Sequence, residues 1–94
     1  MSTEITDNAE KNRYEIRLDG DLAGFVEYEP GENTVVLVHT EVDSAFEGKG
    51  VGSSLARGAL DDIRGKGRSV DPVCPFIKKW IEKHPDYQDL VAAS

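Results

Sequence analysis

The chain has 94 residues, 38% of them hydrophobic, and a formal net charge of −7, which suits one compact domain over residues 1–94 with no surplus for a second core. The negative charge argues against a nucleic-acid partner, because such domains carry basic surfaces that displace counterions from phosphates. No apolar run approaches the roughly 18 residues that cross a bilayer, and residues 1–12 are polar and acidic, so a cytoplasmic chain without secretory signal or membrane association is expected.

In chain order, residues 1–12 are expected to form a polar tail. Residues 13–18 alternate, with Tyr14, Ile16 and Leu18 on one face, the period of a half-buried strand. Asp19, Gly20 and Asp21 read as a hairpin turn, residues 22–29 as the returning strand, and residues 30–33 as a second turn. Residues 34–42 contain the continuous apolar run Val35, Val36, Leu37 and Val38, which predicts a central strand covered on both faces. Strict alternation along it puts Leu37, His39 and Glu41 on one side and Val38, Thr40 and Val42 on the other.

A glycine-rich segment follows, and then a helix over residues 51–66 with Val51, Leu55, Ala59 and Ile63 at four-residue intervals. Residues 68–73 predict a short buried strand, which makes the helix a crossover between two parallel strands. A second helix opens at Pro75, with Phe76, Ile77, Trp80, Ile81 and His84 as its inward stripe, and ends at Pro85. Asp86 is placed to cap a last turn bearing Tyr87, Leu90 and Val91. The expected order is β-β-β-α-β-α.

Charge is unevenly spread: residues 1–47 carry 12 acids and 3 bases, residues 48–94 carry 6 acids and 8 bases. An anion is therefore better tolerated by the C-terminal half, although solvated helix faces give the same balance. The one cysteine, Cys74, excludes an internal disulfide and suits a reducing compartment. His39, Cys74 and His84 lack the paired close spacing of a metal site, so no metal is expected.

The segment that bears on chemistry is Glu47-Gly48-Lys49-Gly50-Val51-Gly52-Ser53. Alternating glycines at the start of a helix clear side chains from successive N–H groups, at the positive end of the helix dipole, so that a pyrophosphate could rest on them; a tight strand-to-helix turn is the plainer reading. Lys49 adds positive charge. The P-loop and dinucleotide fingerprints do not fit, because Lys49 is followed by Gly50 and Ser53 stands where the third glycine belongs.

Residues 47–52 resemble the Arg/Gln-x-x-Gly-x-Gly/Ala loop with which GNAT acetyltransferases bind the coenzyme A pyrophosphate; Gly50 and Gly52 are kept, and Glu47 departs at the first position. Together with Arg13-Tyr14-Glu15, His39-Thr40-Glu41-Val42, Pro72-Val73-Cys74-Pro75-Phe76 and His84-Pro85-Asp86-Tyr87, the loop makes nearly the whole chain similar to the small N-acetyltransferase-like proteins of the YidJ type. The resemblance implies an α/β fold, a minimal GNAT core with an antiparallel meander and a splayed pair of parallel strands, without the N-terminal helices of larger relatives. It implies acetyl-CoA as co-substrate, wedged between the splayed strands, an amine acceptor, the backbone of residues 47–53 at the pyrophosphate, and Val42 at the pantetheine arm. The tyrosine acid of larger relatives has its approximate counterpart near Trp80 and Ile81 and is missing.

Three residues near the splay are candidates for catalysis. Cys74, at a helix start, is either an acetyl-accepting nucleophile or a packing residue. His39 is either its base or a structural histidine, and Glu41 either orients His39, acts as base through water, or is an exposed strand-end carboxylate. Lys78 and Lys79 are either solvated or near the 3′-phosphate of coenzyme A. A coenzyme A-binding sensor without turnover and an interaction module that binds a basic partner through the acidic meander are the competing readings, and no feature specifies an oligomeric state.

Overall fold

A computed structural model describes residues 2–92. Five strands, β1 (Thr3–Asn8), β2 (Arg13–Leu18), β3 (Asp21–Glu29), β4 (Thr34–Val42) and β5 (Ser69–Pro72), form one sheet in the order β1-β2-β3-β4-β5. The first four are antiparallel neighbours and β5 runs parallel to β4. Helix α1 (Val51–Gly65) is the crossover between β4 and β5, and α2 (Pro75–Glu82) follows β5. The expected α/β architecture is present, with one strand more at its start.

That strand corrects the reading of residues 1–12 as a tail. Ile5 is its one apolar side chain and the other positions are polar, so it carries no burial period, yet all six residues pair with β2. Main-chain hydrogen bonds, which every residue but proline can donate and which this proline-free segment can make throughout, hold it. Its acidic and polar side chains also suit an edge, where they discourage pairing with another chain.

The β2–β3 hairpin turns through Asp19 and Gly20, both at positive φ (50° and 90°). Two such residues make the turn whose twist matches the flanking strands, which explains an Asp-Gly pair here. One sheet face carries Tyr14, Ile16, Val26, Val35 and Leu37, packed with Leu55, Ala59, Leu60 and Ile63 of α1 and Ile77, Trp80 and Ile81 of α2 in one core.

The alternation expected for β4 breaks at Val38. Glu27 pairs with His39 and Tyr28 with Leu37, so the register skips Val38 as a bulge. Leu37 is therefore on the core face with Thr40 and Val42, while His39 and Glu41 share the opposite face with Glu27 and Phe25. That opposite face is also more open than expected, since Val38 is 40% exposed.

The remaining differences are at chain ends of elements. Strand β5 stops at Pro72, and Val73 is exposed. In α2, Ile77, Trp80 and Ile81 are buried as expected, but Phe76 is exposed. The closing turn is a 3-10 helix, Pro85–Leu90, with His84 rather than Asp86 at its N-cap. Tyr87 and Leu90 are buried, and Val91 returns to the sheet as a parallel bridge to Val70.

Candidate functional site

The glycine loop is set by what precedes it. Asp43 donates its N–H to Ala23 O at 2.8 Å, and its carboxylate accepts the Ala45 N–H at 2.9 Å, which opens the 3-10 turn Ser44–Phe46. Phe46 then tucks against the core, and the chain reverses through Gly48 (φ 81°) and Gly50 (φ 71°), the latter being the N-cap of α1. Both angles lie where a Cβ is costly.

A Cβ on either glycine would have no atom within 4 Å, so the space over the loop is open. Among the described residues, the N–H groups of residues 48–53 form no hydrogen bond within the chain; the first helical bond is from Ser54 N–H to Gly50 O, at 3.0 Å. Successive bare amides at a helix start attract an anion through both hydrogen bonding and the helix dipole.

A cleft of about 360 Å³ runs past these amides, lined by Val42, Phe46, Glu47, Gly48, Gly50, Val51, Gly52, Ser53, Phe76 and Trp80. Of the residues expected at a cofactor, Lys49 alone does not line it; its ammonium sits 5.9 Å from the Phe46 ring. Phe46, Phe76 and Trp80 are the lining residues that sequence reasoning did not assign. Phe76 packs over Gly52, where a Cβ would come within 2.8 Å of its ring, so glycine at 52 makes room for a wall of the cleft. Trp80 donates its indole N–H to Ser53 Oγ at 2.9 Å and stacks on His84 at 3.8 Å. These contacts tie the middle of α2 to the first turn of α1.

Beyond Leu37 and Pro72 the parallel strands part. Pairing of β4 with β5 ends at Leu37 and Pro72, the Cys74 N–H still reaches Leu37 O at 2.8 Å, and the rest of β4 as far as Val42 has no strand beside it there. Main-chain groups on that stretch can pair with an extended ligand.

Cys74 is buried, at the N-cap of α2, and its Sγ lies 3.2 Å from Thr40 Oγ1. His39 and Glu41 lie together, Nε2 to Oε2 at 3.8 Å, with both side chains more than half exposed. They are on the sheet face opposite Thr40, so the fold joins His39 with Glu41 and Cys74 with Thr40, and does not join the two pairs. A second cleft of about 220 Å³ is lined by Leu22, Ala23, Gly24, Phe25, Glu41, Val42 and Asp43, and has Val42 as a lining residue in common with the first.

A family model described as GCN5-related N-acetyl-transferase matches residues 13–90. Protein NATD1 of Danio rerio is 32% identical over 94 residues, covering 96% of this chain and 86% of that protein. Protein NATD1 of Xenopus tropicalis is 30% identical over 86 residues, covering 89% and 79%. The solution structure of a GCN5-like protein from Staphylococcus aureus superposes with a TM-score of 0.72 at 25% identity, over 97% of this chain and 89% of that one. A ribosomal-protein-alanine N-acetyltransferase from Brucella melitensis shares the fold, with a TM-score of 0.56 at 22% identity over 87% and 62% of the two chains. With the bare amides of the loop, the parted strands and a matching family model over most of its length, the chain belongs to the GCN5-related N-acetyltransferase family.

Proposed function

We propose that the protein is an N-acetyltransferase that takes acetyl-CoA as co-substrate and an amine as acceptor. The observation that carries this reading is the run of unpaired N–H groups over residues 48–53, bordering a cleft that leads to the open edge of β4. The pyrophosphate is held by these amides, with Val42 at the pantetheine arm and Glu47 the one carboxylate on the loop side of the cleft.

The acceptor amine enters through the second cleft, which shares Val42 with the first as a lining residue. Its carboxylates, Glu41 and Asp43, attract an ammonium, and Glu41 beside His39 takes the proton that the amine must lose before its lone pair can attack. The new C–N bond forms as the thioester C–S bond breaks, and the departing thiolate takes up a proton from solvent. Direct transfer fits the separation of His39 from Cys74 better than an acetyl-Cys74 intermediate does. Mass analysis after incubation with acetyl-CoA separates the two routes, since a Cys74→Ala variant retains turnover only in the direct one.

Calorimetry with coenzyme A tests the binding step. Gly50→Glu is expected to abolish binding by placing a carboxylate over the amides, whereas Gly50→Asn, a residue that tolerates positive φ, is expected to keep most of it. Equal binding by Gly50→Glu and the wild type would remove the loop from the site.

A further inference from the structure

Both helices pack on one face of the sheet, and among the described residues no helix covers the other. Since Tyr14, Ile16 and Leu18 are in the core, Arg13, Glu15 and Arg17 take the uncovered face. The register sets Phe25 opposite Glu15 and Glu27 opposite Arg13, and on β4 it sets Glu41 opposite Phe25 and His39 opposite Glu27. Glu29, opposite Val36, continues the same face.

The charges there fall into two groups. Arg13 and Arg17 are both turned onto Glu15, at 2.7 and 3.2 Å, and Arg13 also lies over the Phe25 ring at 4.4 Å. On β3 and β4 the acids go without such partners. Glu27 stands opposite Arg13 in the register, yet it forms no ion pair among the described residues, and neither does Glu29. Glu41 has His39 alone, at 3.8 Å. All three carboxylates are exposed. A hollow of about 290 Å³ at the far end of the row is bordered by Lys11, Asn12, Glu27, Tyr28, Glu29 and Val38, one lysine against two carboxylates.

The spacing of the row is that of an extended chain. Glu27 and Glu29 are two residues apart on β3, about 7 Å, and Glu41 is the diagonal neighbour of Glu27 across the β3–β4 pair, about 7–8 Å away. An extended polypeptide turns every second side chain to one side at the same step. The half-buried Phe25 and the exposed Val38 give apolar surface beside the carboxylates for the stems of long cationic side chains. A second copy of this chain brings a further net charge of −7 to the face, and a nucleic acid is repelled by it. We infer that the uncovered face of the sheet docks an extended, basic segment of another protein, with lysine or arginine at every second residue over Glu41, Glu27 and Glu29. The docking uses none of the loop amides and stands apart from the coenzyme A reading.

Fluorescence anisotropy at low salt, without coenzyme A, tests it with two labelled peptides of one composition. In the first, lysine alternates with serine; in the second, the lysines form one block. The wild type is expected to bind the alternating peptide about threefold more tightly. The double variant Glu27→Gln with Glu29→Gln should bind it about fivefold more weakly than the wild type does. Glu82→Gln with Asp86→Asn, an equal loss of charge at exposed positions of α2 and the turn after it, should leave its binding within twofold. Equal affinity for the two peptides, equal weakening by the two double variants, or no binding overturns the proposal. Displacement of the peptide by an equal concentration of spermine gives the carboxylates to a small polyamine, and a dimer in sedimentation that Glu27→Gln with Glu29→Gln disperses gives the face to a second copy; either result overturns it as well.

Discussion

Among the described residues Glu15 is the buried side chain that carries charge, 4% exposed on the sheet face that also bears His39 and Glu41. Burial alone would raise its pKa, but hydrogen bonds from Arg13 (2.7 Å) and Asn8 (3.2 Å) and the charges of Arg13 and Arg17 outweigh that, and its carboxyl is held below the ordinary 4.5. Asp62 is lowered in the same sense: burial opposes, and Lys66 and the Tyr14 hydroxyl prevail. The Tyr14 hydroxyl, buried and donating to Asp62, is pushed up well beyond the usual phenol range, so it stays protonated and a donor. A carboxylate with a lowered folded pKa adds stability above its unfolded value and loses it as pH falls through the folded value. Glu15→Gln is therefore expected to cost about 2 kcal/mol at neutral pH, and the gap to the wild type should close as pH falls below 4.5. Urea titrations at pH 7 and near pH 3 check this; a gap that is the same at both values would show that the charge of Glu15 contributes nothing.

The seating of β1 on α1 is decided at the scale of elements. Gly58, midway along α1, faces Ile5: a Cβ added there would overlap the Ile5 Cδ1 and lie 3.1 Å from Cγ2 and 3.2 Å from Cβ. Alanine in a helix interior normally gains about 1 kcal/mol over glycine, while overpacking costs about 1–3 kcal/mol. Gly58→Ala should thus destabilise the wild type and stabilise an Ile5→Ala background, a sign reversal that a double-mutant cycle reads directly. If Gly58→Ala stabilises both, β1 is not seated on the helix. The same strand marks where the sequence falls silent. Residues 13–18 and the Val51, Leu55, Ala59, Ile63 series announce themselves through a burial period, whereas β1 buries almost nothing and is held by main-chain bonds that almost any proline-free sequence can make. The bulge at Val38 is equally invisible, because it belongs to the register between β3 and β4 and not to either strand alone. It reverses the outlook of Leu37 and carries His39 and Glu41 away from Cys74. The glycine loop stayed legible because bare amides need glycine at those positive φ values, and Phe76 escaped because an apolar residue after Pro75 looks the same in a core as in a cleft wall.

Across the whole molecule the core lies on one side of the sheet, between it and the two helices, and the opposite face carries charged and half-exposed side chains. A chain of this length buries only about 60–65% of its extended surface, so its stability is small and a ligand bound only by the folded form changes it visibly. The loop cleft is bordered by the end of β4, the start of α1 and the exposed side of α2, and the two helices are tied at the cleft by the hydrogen bond from Trp80 to Ser53. Coenzyme A at a hundred times its Kd adds about 2.7 kcal/mol. For a domain of 60–100 residues each kcal/mol moves the midpoint by about 4–8 °C, so the expected rise in Tm is about 10–20 °C. Gly50→Glu should show none of it. Hydrogen exchange places the effect: the N–H groups of residues 48–53, which have no partner among the described residues, should slow most, followed by those of α2, while β1 at the far edge of the sheet should change little. A rise in Tm with slowing concentrated at β1 would put the ligand elsewhere, and the amides of the loop would then be only the ordinary start of a helix.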